Sequence, residues 1–316
     1  MLAFILRRSA SMLLVLFCVV TLTFFLMRLA PGGPFDRERK VPKAIEEQLL
    51  ARFNLKGTPW ELYRTYLGIR KNNSGKYSGL LQGDLQLSTK YRNRTVNELL
   101  AQTLPVTVTL GAVAFLIATI AGVSLGCWAA VKHHTSIDTG AMMGALLAIS
   151  IPTFVTGPLL VLIFCLKLGW LPVGGWGSWR SLILPALTLA GPYVAYIARL
   201  MRTSMLEVLG QDFIRTARAK GLAELPIVYK HAVKIAILPV VSFLGPLAAN
   251  LLTGSMVVEL IFNIPGAGGF FVNSIQNRDG FLLCGVVIVY CTLLVALNLV
   301  VDVAYSWLDR RIKLYE

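Results

Sequence analysis

The chain of 316 residues is 56% hydrophobic and only 15% charged, whereas a soluble domain is roughly half apolar and about a quarter charged. That balance excludes an ordinary water-soluble enzyme and makes an integral membrane protein the default. The formal charge of +14 does not point to nucleic acid, because the basic residues are spread over loops with neither a zinc pattern nor a soluble helix-turn-helix, and topology signals and anionic lipid contact account for them better.

The first apolar run, 9–29, follows Arg7 and Arg8 and is too long for the core of a cleaved signal peptide, so it reads as transmembrane helix 1. The polar segment after it, 31–104, carries Ile45, Leu49, Leu50 and Phe53 at helical spacing, then a helix-like stretch at 59–69 and a Gly, Asn and Ser cluster at 71–79. It reads as a small helical cap that docks a partner or shields a pore. Runs at 105–131, 142–168, 235–262 and 281–308, with a marginal one at 183–200, are long enough to cross an apolar core of about 30 Å. The count is six helices, the second holding a GxxxG at Gly122 and Gly126.

If six helices alternate, Arg7, Arg8, Lys132, the basic run 199–234, Arg310, Arg311 and Lys313 fall on one side, the cytoplasm by the positive-inside rule. Both termini are then inside and 31–104 is outside. Its many basic residues are no obstacle, since loops beyond about 60 residues translocate largely regardless of charge. The organisation expected is an N-terminal tail with helix 1 (1–30), the extracytoplasmic segment (31–104), a core of helices 2–6 (105–308) with a cytoplasmic loop at 201–234, and a tail (309–316).

That loop is long and polar, which asks for a purpose. Asp212 reads as an N-cap, 213–220 as two helical turns, and Gly221 as the residue that ends them in the left-handed region. Ile214 and Ala217 share one edge, Arg215 and Arg218 another. Pro226 suits the first turn of a second helix, 227–237, which runs into Pro239. From the residues alone the projection is either a plug for a groove on another protein or an amphipathic linker lying on anionic headgroups.

The stretch 214–221 (IRTARAKG), followed by His231-Ala232 and Leu238-Pro239, resembles the ATPase-docking loop of bacterial ABC importer permeases in their oligopeptide and dipeptide branch. Further resemblances span the chain: 27–34 (MRLAPGGP), 83–88 (GDLQLS), 184–188 (LPALT), 204–209 (SMLEVL), 254–262 (GSMVVELIF) and 300–302 (VVD). Together they are similar to the B-type permease subunit of an oligopeptide importer. The Glu-Ala-Ala of the wider superfamily reads Arg215-Thr216-Ala217 here. The resemblance implies an all-α, type I importer permease fold in the inner membrane, multi-pass, with its cytoplasmic and outer faces engaged by other proteins. Implied partners are a second, C-type permease, two ABC ATPase subunits that bind ATP and Mg, an extracytoplasmic peptide-binding protein, and membrane lipid; nucleic acid is not among them. The coupling residues it implies are Asp212, Phe213, Ile214, Arg215, Thr216, Ala217, Arg218, Ala219, Lys220, Gly221 and His231.

No GxxxxGK[ST] phosphate loop, HExxH or GxSxG occurs in the chain, so ATP would be hydrolysed on another polypeptide, and no cofactor or metal is expected here. His133 and His134 lack further ligands at workable spacing. All five cysteines lie inside the apolar runs, without a disulfide framework. Asn250, Ser255 and Glu259 are the translocation-pathway candidates, with interhelical hydrogen bonding for Asn250 and snorkelling or turn capping for Glu259 as the plainer readings. The rival function is an ion-coupled secondary transporter, which would usually show midplane acids on several helices and an internal repeat.

Overall fold

The computed structural model describes residues 2–29, 43–73, 75–254 and 256–308. Among these the regular structure is helical, with one isolated bridge between Leu87 and Thr95. In chain order the helices are α1 (Leu2–Leu29), α2 (Lys43–Arg52), α3 (Pro59–Leu67), α4 (Val96–Val131), α5 (Ser136–Ser150), α6 (Thr153–Leu160) and α7 (Trp179–Leu209). They continue as α8 (Asp212–Ala219), α9 (Glu224–Pro226), α10 (Val233–Ala236), α11 (Leu238–Leu252), α12 (Met256–Ile261), α13 (Gly268–Gln276) and α14 (Gly280–Leu308). Wide π-turns extend α6 over Val161–Lys167 and join α9 to α10 over Ile227–Ala232.

Among the described residues four helices, α1, α4, α7 and α14, are each long and apolar enough to cross a membrane, and six spans result only if two bent pairs each count as one. The uninterrupted run expected at 142–168 is instead two helices meeting at 109°. Pro152 explains the break: it offers no N–H, and it holds Ile151 extended at φ −88°, ψ 120°. The run expected at 235–262 is also interrupted. The chain bends by 53° where Pro239 opens α11, and it breaks again after Thr253, where Gly254 takes φ +83°. In the other direction, α7 is longer than 183–200 and absorbs the start of the expected loop despite Pro185 and Pro192 within it. Helix 2 begins at Val96 rather than 105, because Thr95 and Glu98 form a capping box (Glu98 N–H to Thr95 Oγ1, 3.2 Å) and Pro105 is carried inside α4.

Contacts divide the chain into two units. In the first, residues up to Val106 pack with Pro265–Ala296. Its core is aromatic: Phe24 of α1 lies 5.3 Å from the rings of both Tyr63 and Tyr66 on α3, pairs that each add about 0.5–1.5 kcal/mol beyond area burial. Thr21 Oγ1 and Tyr63 Oη share a 2.5 Å hydrogen bond. The sequence positions α3 locally, with Pro59 at its first turn, a Thr58 and Glu61 capping box, and Gly68 in the left-handed region at its end. The Thr58 N–H and then the Arg70 guanidinium hold the Glu61 carboxyl below the usual carboxylate range. The GDLQLS motif is anchored from far along the chain: Ser88 Oγ donates to Asp279, whose other oxygen accepts the Leu282 N–H at the start of α14.

The second unit runs over Thr107–Ile264 and takes in the end of α14. Here the GxxxG of α4 is a real close contact. A Cβ on Gly122 would stand 2.7 Å from Ile197, and one on Gly126 only 2.5 Å from the Ala198 carbonyl oxygen, so α4 and α7 meet almost backbone to backbone. The buried face of α7 includes Leu184, Ala190, Ile197, Met201 and Met205.

Candidate functional site

The projecting loop begins where α7 ends at Gly210. Gln211, not Asp212, holds the N-cap position of α8, and it makes no side-chain cap; Asp212 is the first helical residue. The correction is one of register. An acidic group in the first turn still complements the helix dipole, and Asp212 also reaches Arg215 at 3.6 Å. After α8 the backbone reverses at Gly221, φ +79°, with its N–H donating to the Arg218 carbonyl at 2.9 Å and no obstruction around it.

The two faces of α8 differ. Ile214 is fully buried and Ala217 is 8% exposed, both turned inward, and α8 packs against the Ile227–Ala232 arm, where Ile227 and Val228 are also buried. Arg218 fixes the reversal by donating from Nε and Nη2 to the two Glu224 carboxylate oxygens, at 2.8 and 3.3 Å. Asp212, Phe213, Arg215, Thr216, Ala219, Lys220, Gly221 and His231 face outward. With Leu222 at 45% and Leu225 at 69% exposure, they make a knob that is apolar at Phe213, Leu222 and Leu225 and basic at its flanks. A groove of about 540 Å³ lies between the second arm of the loop and the end of α4, lined by Cys127, Trp128, Val131, Leu225 and Tyr229 among others.

Sequence reasoning passed over a charged cluster at the base of this loop. Asp138, 4% exposed in the first turn of α5, accepts from Arg202 Nε at 2.5 Å and from Nη2 at 2.7 Å. His133 Nδ1 is 3.0 Å from the same carboxylate, and the His134 N–H donates to it at 3.3 Å. Arg202 lies two turns before the end of α7, so the cluster joins the start of the bent α5–α6 pair to the helix that carries α8. The available signal was an acid adjoining an apolar run with an arginine near the end of another.

The pathway candidates have separate surroundings. Asn250 donates from Nδ2 to Tyr193 Oη at 3.1 Å on an open face. Glu259 is 1% exposed and accepts from Thr107 Oγ1 at 2.7 Å. It is thus enclosed, which excludes snorkelling, one of the two plainer readings of it. Ser255 lies outside the described residues. Among the described residues no group of three or more His, Cys, Asp or Glu side chains could hold a metal ion.

Comparison with known proteins shows the family. Over 315 residues the chain is 43% identical to the oligopeptide transport system permease protein OppB of Haemophilus influenzae and 44% identical to that of Salmonella typhimurium, covering 99% of this chain and all of each relative. It is 40% identical over 313 residues to the dipeptide transport system permease protein DppB of Bacillus subtilis, covering 99% of this chain and 98% of that one. The resemblance carried by the motifs therefore extends over essentially the full length. Residues 122–314, which include α5 to α12 and the whole projecting loop, match the binding-protein-dependent transport system inner membrane component family, and the chain belongs to that family.

Proposed function

We propose that this chain is a membrane-spanning permease subunit of an ATP-driven oligopeptide importer, forming half of the translocation pathway and passing the work of separate ATPase subunits to it through α8. The observation that carries this reading is identity of 40–44% along the whole chain to oligopeptide and dipeptide permeases. In this reading α8 and Gly221 fill a groove on an ATPase subunit, with Phe213 and Leu225 as apolar contacts and Arg215 and Lys220 at the rim. A second, C-type permease completes the pathway, ATP and Mg are bound by the two ATPase subunits, and a peptide-binding protein delivers cargo from outside. The chain sits in the inner membrane with six crossings, the bent pairs each counting as one, both termini in the cytoplasm and 31–104 outside. An ion-coupled secondary transporter is disfavoured by membership of a binding-protein-dependent family.

The experiment is reconstitution of the tagged chain, with whatever co-purifies, into vesicles supplied with ATP and labelled peptide. Uptake should need ATP and the binding protein, and a thiol introduced near Asn73 should react with an impermeant reagent from the outer face. Robust ATP hydrolysis by the chain alone, or uptake driven by an ion gradient without ATP, would overturn the reading.

A further inference from the structure

An acid enclosed in an apolar segment is costly unless it is compensated, and in membrane chains it marks function by default. Glu259 is 1% exposed and Thr107 fully buried, and the threonine hydroxyl donates to the carboxylate at 2.7 Å. Thr107 stands two residues after the proline inside α4, whereas Glu259 sits in the middle of the six-residue α12.

The chain break that precedes α12 is built around this pair. Gly254 takes φ +83°, and a Cβ there would meet Thr107 Cγ2 at 2.3 Å and Glu259 Oε1 at 3.0 Å. The reversal therefore needs glycine for its backbone and also for its clearance over the hydrogen bond. Beyond α12 the segment is tied a second way: the Gly175 N–H donates to the Phe262 carbonyl at 2.8 Å, and the Ile264 N–H donates back to the Glu259 carbonyl at 2.8 Å. Val258 and Phe262, on either side, are fully buried. The short helix is thus held to α4 by a side chain and to the 174–175 loop by backbone.

Packing alone could have fastened α12 at lower cost. A hydrophobic residue of similar volume at 259 is cheaper than a buried acid, and removing one partner of such a pair is what destabilises. A hydrogen bond differs from packing in that a moving segment can exchange it for water or another polar group, which suits an element with two arrangements. Glu259 is enclosed in this conformation, with only 1% of its surface exposed.

We infer that Glu259 is a positioning residue: its hydrogen bond to Thr107 is the latch that holds α12 against α4, and release of the latch accompanies opening of the pathway. The functional half of this inference rests on the proposed importer reading. The latch itself does not.

Two readouts separate them. The first is modification of a cysteine introduced by Val258→Cys, a fully buried position, read at that residue by peptide mass so that the five native cysteines stay in place. With Thr107 intact the thiol should be protected, and adding Thr107→Val should speed its modification about tenfold, the value of one hydrogen bond at the upper end of the usual range. Thr107→Ser, which keeps the donor, should restore protection, and Glu259→Gln, which keeps an acceptor oxygen, should remain protected. The second is uptake and hydrolysis by the reconstituted complex, normalised to assembled protein. Thr107→Val should raise hydrolysis in the absence of peptide and lower the peptide moved per ATP, with serine rescuing both.

Equal protection at position 258 in all variants overturns the latch. Loss of assembled complex with an unchanged ratio of peptide to ATP assigns the pair to stability and overturns its positioning role. A wild-type complex that moves no peptide overturns the importer reading, and the labelling result still decides the latch.

Discussion

Replacing Arg202 by Met should cost the α5–α7 contact about 3 kcal/mol, because a buried carboxylate is left without its main partner. The structure sets that magnitude. The Asp138 side chain is 6% exposed and that of Arg202 22%, so the pair is neither a solvent-screened surface bridge nor fully dry. Substitution removes the bonds at 2.5 and 2.7 Å and leaves Asp138 only the longer approaches of His133 at 3.0 Å and the His134 N–H at 3.3 Å. Asp138→Asn should lose less, about 1.5–2 kcal/mol, since the amide oxygen still accepts from Nε while the charge is gone. The double substitution Asp138→Leu with Arg202→Met should recover most of the loss, because no charge is left stranded. Unfolding in mixed detergent micelles of the wild type, both single variants and the double completes a mutant cycle, and the coupling energy should reach about 2 kcal/mol. A coupling below about 0.5 kcal/mol is that of an exposed ion pair and would refute the burial argument. The double variant is also informative in uptake: if it is stable yet moves less peptide per ATP, the cluster passes motion between α7 and α5 rather than merely holding them together.

In the loop, Phe213→Asp and Leu225→Asp should leave the chain folded but abolish coupled uptake, and Arg215→Ala at the rim should do less. Ala217→Asp should lose uptake and also make the loop sensitive to protease, because Ala217 is buried on the inner face of α8; normal uptake in the outward variants would return the loop to a surface linker. Gly126→Leu should lower stability by about 1–3 kcal/mol through overpacking against Ala198 and Met201, read in the same micelle assay, and an unchanged midpoint would contradict the close approach of α4 and α7.

Much of this protein is legible in the sequence because it depends on local sums. Length and apolarity of the runs identify a membrane chain, since a helix must bury some 20 residues of hydrocarbon-facing surface to cross. Gly221 after two helical turns specifies a helix end through backbone groups only a few residues away. The motif pattern along the chain was also sufficient to find the family, which the full-length identities bear out. Hydropathy, however, adds residues without regard to direction. It could not show that 142–168 turns through 109° at Pro152, or that 235–262 breaks at Gly254. Nor does periodicity name partners. Asp138 meets Arg202 across 64 positions, Thr107 meets Glu259 across 152, and Ser88 meets Asp279 across 191. Each of these pairs joins a polar group that local pattern leaves without a purpose to another that only the packing of distant helices brings within reach. The same packing decided that Ile214 and Ala217 close the loop on itself while Phe213 and Leu225 are left facing out, because the second arm, not the spacing within α8, chooses which face is buried.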